Sequence, residues 1–221
     1  MARTMSKEDN VFKYPKTGHL PSSLSVSSDD KIVSRETLDL LQSGIEIVAS
    51  EKMDGGNITM MRDNFYGRSL DSGTHAWDTY AKQLHAKIAH EIPDRWRISG
   101  ESLAAERSVR YENLPGPYMV FGIWDETNTL LSFDEMTDYA DMLGLPVVPV
   151  LYKGTDYQEA VTVWEKSLND EISEGFVLRD AGRIPYEEFP NRVAKFVRFN
   201  HVRTNADWRH RTDFAYNSFA M

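Results

Sequence analysis

The sequence predicts one α+β domain of mixed or antiparallel sheets flanked by helices, on three observations. Strand-like segments come in two series joined by short turns, and amphipathic helical stretches separate them. The 221 residues have room for one well-cored domain, and neither a fixed-period repeat nor a long low-complexity linker divides the chain.

Taken in order, residues 1–34 mix Ser, Pro, Gly and charge ("KYPKTGHLPSSLSVSSDD", 13–30) and read as an extended arm with turns. "SRETLDLLQSG" (34–44) reads as a short helix capped by Ser34 and stopped by Gly44. "IEIVASEK", "NITMMRD" and "FYGRSL" (45–52, 57–63, 65–70) are strands with turn residues between them. Residues 75–92 take helical spacing, with Trp77, Tyr80, Leu84, Ile88 and Ile92 on one face as expected core.

"WRISGESL" (96–103) and "GPYMVFGIWDE" (116–126) begin the second series, followed by a helix over 132–144 with Ser132 as cap and Gly144 as stop. "PVVPVLYKG" (146–154) is a strand that its prolines push toward a sheet edge, because proline cannot donate to a ladder. "DYQEAVTVWEKSLND" (156–170) is helical, and "EGFVLRD" (174–180) and "RVAKFVRFN" (192–200) are the last strands.

Composition narrows the chemistry. With no cysteine there is neither a disulfide framework nor a thiolate metal site, and no HxxxH pair occurs among the six histidines. The polar N-terminus and an apolar run no longer than "YMVFGIW" (118–124) point to a cytoplasmic protein that engages no membrane. A net charge of −9 argues against indiscriminate coating of nucleic acid. Residues 191–211 nevertheless hold six Lys/Arg against one acid, a local basic run on an acidic body.

The stretch "EKMDGGN" (51–57) carries the sharpest chemical question. By itself it fits a surface lysine beside a hairpin turn. It also fits a nucleophile, provided that burial or neighbouring cations activate the amine, whose reference pKa is about 10.4. Adjacent glycines would let backbone approach a nucleotide closely. No P-loop pattern accompanies it.

Its companions are ordered: "KMDG" (52–55), "GRS" (67–69), "SGES" (99–102), "VFGIWD" (120–125), "EGFVLR" (174–179) and "VAKFVR" (193–198). From about residue 45 to about residue 200 this series resembles the covalent nucleotidyltransferases, which comprise ATP-dependent RNA and DNA ligases and mRNA capping enzymes. Among them it is most similar to the bacteriophage and bacterial RNA ligases of the second type.

The resemblance implies a nucleotidyltransferase fold, the ligase adenylylation domain, over residues 35–200. It implies ATP as cofactor, with AMP bound covalently to Lys52, and Mg2+ or Mn2+. RNA 5′-phosphate and 3′-hydroxyl ends would be the substrates. Arg68 matches the arginine that contacts the sugar or an incoming phosphate, Glu101 the acid on the ribose hydroxyl, and Phe121 the aromatic that stacks on the purine. Glu174 matches the metal-associated carboxylate, with Glu101 as a second metal donor, and Lys195 the cation at the α-phosphate. Arg179 stands where the family often has a cation. Glu51, Asp54, Gly55 and Gly56 complete the nucleotide-binding loop, Glu51 through its backbone and Asp54 either structurally or near the metal.

Two departures are visible. Family members often place two cations at alternate positions of the last motif, whereas Lys195 and Arg198 lie three apart, so in a regular strand Arg198 points away from Lys195. The 201–221 tail is also too short for an OB-fold, which predicts a minimal catalytic domain whose arm, basic tail or an accessory protein supplies further RNA contacts. A DNA nick sealer, a GTP-using capping-type enzyme, or a non-catalytic nucleic-acid-binding module of the same fold stay open as alternatives.

Overall fold

The computed structural model describes residues 11–28, 30–68, 76–167, 173–198 and 215–220. In chain order its first elements are β1 (Gly18–His19), α1 (Arg35–Leu41), β2 (Ile47–Glu51), β3 (Gly56–Met60), β4 (Phe65–Gly67), α2 (Thr79–Ile88), β5 (Arg97–Ser102) and β6 (Tyr118–Trp124). There follow β7 (Thr129–Leu130), α3 (Phe133–Met142), β8 (Val150–Gly154), α4 (Tyr157–Ser167), β9 (Gly175–Asp180), β10 (Ile184–Pro185), α5 (Phe189–Arg192) and β11 (Val193–Val197).

Two mainly antiparallel sheets result, one ordered β1-β11-β9-β2-β8 and the other β10-β7-β6-β5-β3-β4. This is the α+β fold of two sheets and flanking helices that the strand series implied. The first sheet packs Ile47, Ala49, Phe176, Leu178 and Phe196 against Trp164 of α4. The second packs Ile58, Met60, Ile98 and Ile123 against α2 and α3 through Ile88, Phe133 and Met136. The strand expected over 146–154 begins only at Val150; β8 is an edge strand, Pro146 and Pro149 lie ahead of it, and the Pro149 carbonyl accepts from Glu51 N–H at 2.8 Å.

The caps follow the sequence. Thr37 N–H donates to Ser34 Oγ at 3.2 Å, and Ser132 and Glu135 close a reciprocal capping box on α3. Gly44 and Gly144 sit at φ +87° and +67°, left-handed positions that end their helices.

Three regions differ from the sequence reading. The arm is partly regular: β1 pairs in parallel with β11, His19 opposite Lys195. A two-residue strand has no periodicity to detect, and only the distant partner stabilises it. The helix expected over 75–92 is broken into 3₁₀ turns at 76–78 and 89–91 around α2. Tyr80, expected on its core face, is 46% exposed; its ring lies 6.3 Å from Phe219 of the returning C-terminal peptide. That peptide forms bridges to Ala105 and Leu114 rather than trailing as a tail. The expected ends 69–70, 168–170 and 199–200 of three elements, and most of the basic run with Arg203, Arg209 and Arg211, lie outside the described residues.

Candidate active site

The cleft is opened by single positions in otherwise buried strands. Every residue of β6 is buried except Phe121, every residue of β5 except Glu101, and every residue of β11 except Lys195. Alternation puts these side chains on one face of each sheet, and they line a common cavity of about 540 Å3 between the sheets. That volume suits a nucleotide-sized ligand.

Lys52 follows β2 of the first sheet and Gly56 begins β3 of the second, so the segment between them crosses from one sheet to the other. Lys52 N–H donates to the Gly175 carbonyl at 2.9 Å, which ties the lysine to the start of β9. Glu174 stands one residue earlier, and Lys52 Nζ donates to Glu174 Oε2 at 2.5 Å. A Cβ at Gly175 would lie 2.0 Å from the Phe196 carbonyl oxygen, so glycine alone lets β9 and β11 close behind this pair.

Asp54 braces the crossing segment. Its Oδ2 accepts from Ser108 N–H at 2.7 Å and Val109 N–H at 2.9 Å, while its own N–H donates to Tyr111 Oη. Both its carboxylate bonds here are structural. Gly55 is required for packing: a Cβ there would sit 2.4 Å from the Ser102 carbonyl oxygen. Gly55 N–H then donates to Glu101 Oε1 at 3.1 Å.

Burial raises the Glu101 pKa to about 7, with Lys52 and Arg107 opposing the rise and Glu174 and Asp54 adding to it. Because the folded value exceeds the ordinary 4.5, the folded state binds this proton more tightly than the unfolded one. The resulting stability is present below pH 4.5 and is lost as pH rises through about 7. Glu101→Gln keeps the acceptor for Gly55 and removes the charge. The ligand-free variant is therefore expected to be more stable than its parent by ~1–3 kcal/mol at pH 8. The two proteins should converge near pH 5. Paired thermal melts at the two pH values check this, and an equal difference at both would refute it.

Glu51, Arg68 and Arg179 also line the cavity, as do Asp54, Gly55 and Gly56. Burial raises the Glu51 pKa. Arg68 is exposed at the rim after β4. Arg179 is 4% exposed; its Nε and Nη2 donate to carbonyl oxygens of Asp180, Leu131 and Gly182, its Nη1 is buried without a hydrogen-bond partner, and burial lowers its pKa to about 10. It holds the cavity wall together.

Arg198, expected in the nucleotide-binding set, is not among the residues that line the cavity. It is buried off the cleft, its Nε donating to the Ser173 carbonyl and its N–H to the Glu174 carbonyl at 3.1 Å. It stands one residue beyond the end of β11, so strand alternation does not fix its direction.

The sequence reading missed Tyr14 and Arg107. Tyr14, from the arm, lines the cavity with its ring edge-on to Phe121, centroids 5.0 Å apart. Arg107 lines it beside Gly56, in the field of Glu101, Asp54, Asp78 and Glu174. Neither carries a local signal; both arrive by tertiary packing.

Among the described residues no group of three or more His, Asp or Glu could hold a metal by itself. Glu174 and Glu101 offer hard oxygen donors, and two carboxylates fit a divalent ion that completes its shell with phosphate and water.

A family model described as RNA ligase matches residues 45–197. Among curated proteins none matches. The fold is similar to an archaeal ATP-dependent RNA ligase (TM-score 0.57, 19% identity), covering 85% of this chain and 48% of that one. A putative ATP-dependent DNA ligase from Aquifex aeolicus gives TM-score 0.57 and 23% identity, covering 85% and 50%. A variant of the Naegleria gruberi RNA ligase with ATP and Mn gives 0.55 and 16%, covering 83% and 60%. At these identities the likeness is one of fold, and the chain spans about half to three fifths of the length of these structures.

Proposed function

Since this chain belongs to the RNA ligase family, we propose that it is an ATP-dependent RNA ligase working through a lysine–AMP intermediate at Lys52. One observation carries the reading: Lys52 and Glu174, 122 positions apart, meet at 2.5 Å in a cavity that Glu101, Phe121 and Lys195 also line. A surface lysine beside a hairpin turn would have no need of such company.

In the first step Lys52 Nζ, after giving up a proton, attacks the α-phosphorus of ATP. The N–P bond forms as the bond to the β-phosphate oxygen breaks, and pyrophosphate leaves. Glu174, already the hydrogen-bond acceptor of Lys52, is placed to take the proton. Lys195 faces the cavity and supplies positive charge where phosphate oxygens gather negative charge. Next, a 5′-phosphate oxygen of RNA attacks the adenylate phosphorus and Lys52 leaves, recovering a proton. Finally a 3′-hydroxyl attacks the activated 5′-phosphorus, a phosphodiester forms and AMP departs.

Phe121 offers an aromatic wall for the purine, and Glu101 an acceptor for a ribose hydroxyl. Glu174 and Glu101 would hold Mg2+ or Mn2+, which would supply charge neutralisation at the phosphates. The Naegleria gruberi ligase of similar fold, seen with ATP and Mn, supports ATP and a divalent ion as partners here. Among the described residues no helix is long and apolar enough to cross a membrane. As part of this reading we propose a cytoplasmic protein with residues 35–200 as its adenylylation domain.

Incubating the protein with α-labelled ATP and Mg2+ or Mn2+ tests the reading. An acid-labile, alkali-stable, hydroxylamine-sensitive adduct is expected, which a 5′-phosphorylated RNA but no 5′-hydroxyl RNA discharges. Failure to form it with any divalent ion would overturn the proposal. Labelling by GTP alone would point to capping-type chemistry, and sealing of DNA ends alone to nick repair.

A further inference from the structure

The arm, which the sequence presents as an appendage, delivers a carboxylate to Lys195. Ser27 N–H and Oγ donate to Asp30 Oδ2 at 3.1 and 2.8 Å, and Asp30 N–H donates back to the Ser27 carbonyl. This closed turn fixes one carboxylate oxygen and aims the other, Oδ1, inward. There it lies 3.6 Å from Lys195 Nζ and 3.3 Å from Nε2 of His19. Lys195 makes no other ion pair within 4 Å among the described residues.

The backbone enforces the same meeting. His19 and Lys195 are register partners on β1 and β11, Leu20 N–H donates to the Lys195 carbonyl at 2.7 Å, and His19 N–H donates to the Lys31 carbonyl at 2.7 Å. Asp30 does not line the cavity; Lys195 does. Whatever Asp30 contributes therefore passes through the lysine.

We propose that Asp30 is a positioning residue that holds the Lys195 ammonium at the cavity wall. This rests on the ligase reading of Lys195.

The electrostatics supports it. Burial, Lys52 and Arg68 all press Lys195 toward losing its proton, and Asp30 is the group that opposes them. Asp30 itself stays ionised: burial disfavours its charge, but the Ser27 hydrogen bonds, Lys195 and His19 hold its pKa below the usual carboxylate range. His19 is 2% exposed and burial lowers its pKa, with Lys195 and Lys52 adding to the fall and Asp30 opposing it. At neutral pH it therefore leaves the carboxylate to Lys195.

Asp30→Asn is the decisive variant, because an amide oxygen can keep the Ser27 turn while the charge goes. Two measurements on the full chain are needed: the rate of adduct formation at saturating and subsaturating ATP, and the Lys195 titration followed by NMR of its labelled Cε in the ligand-free protein. At a temperature where parent and variant are both fully folded, the adenylylation rate is expected to fall roughly fivefold to tenfold. The Lys195 titration should move to lower pH, and Asp30→Glu should recover part of the rate.

An unmoved Lys195 titration, or a moved titration with an unchanged rate, would overturn the positioning role and leave the ligase reading intact. A rate loss that only tracks a lowered melting temperature would reduce Asp30 to a turn residue and overturn it as well. A parent protein that forms no adduct defeats the ligase reading itself, a result separable from the others because it appears without any substitution.

Discussion

Lys52→Ala is expected to abolish adenylylation, leaving less than ~0.1% of the parent's adduct, because it removes the proposed attacking nitrogen and Lys195, the other amine lining the cavity, is held by Asp30 at 3.6 Å. Lys52→Arg is the more searching variant. It keeps a cation beside Glu174, so the cavity's charge balance survives, but guanidinium does not give up its proton in proteins. If Lys52 were merely a charge that attracts ATP, the arginine variant would retain most of the signal. If it is the nucleophile, both variants are silent while still binding ATP. Adduct assay and ATP titration on the same samples separate the two, and a labelled arginine variant would disprove the assignment.

Glu174→Gln should slow adenylylation by about 100- to 1000-fold, the range for removing one oriented electrostatic group at a reacting phosphate or carbonyl. The side chain is nearly isosteric, so packing against β9 and β11 persists. What disappears is the charged acceptor at 2.5 Å from Lys52 and a hard oxygen ligand for the metal. Removing one partner of a partly buried pair also leaves the other charge uncompensated, with Lys195 lining the same cavity. Single-turnover rates across several Mg2+ concentrations check this. A loss of less than threefold at every concentration would mean that Glu174 serves the fold rather than the reaction.

Much of the architecture could be read from sequence because its signals are local. Ser34, Gly44, Ser132 and Gly144 announce helix ends through backbone groups within a turn of them. The prolines of 146–149 instead precede β8, in a segment that bonds to Val120 of β6. What could not be read depends on partners far along the chain. β1, β7 and β10 are two-residue strands that exist only through β11, β6 and each other. Tyr80 looked like core by spacing, yet it meets Phe219, and no helical period encodes that contact.

The same division holds in the cavity. Ordered motifs named Lys52, Glu101, Phe121, Glu174 and Lys195, and those residues line it. Arg198, just past the end of β11, is held by the Ser173 and Glu174 carbonyls instead of lining the cavity. Asp54 turned out to be spent on Ser108 and Val109, a role visible only once the 103–111 loop is in place. Tyr14 and Arg107 carry no motif and reach the cavity by long-range packing, and Asp30, equally without a motif, reaches only Lys195.

The crossing segment at Lys52 has a consequence for how the protein comes to be. β2 finds its neighbours only in β8 and β9, which are synthesised about a hundred residues later, so pairing them closes very large loops. Until β9 is in place, Lys52 has neither the Gly175 carbonyl for its backbone nor Glu174 for its amine. Under the proposed function, competence to react with ATP is thus a late event in folding, and a nascent or cleaved chain that ends before residue 174 carries the proposed nucleophile without Glu174 beside it.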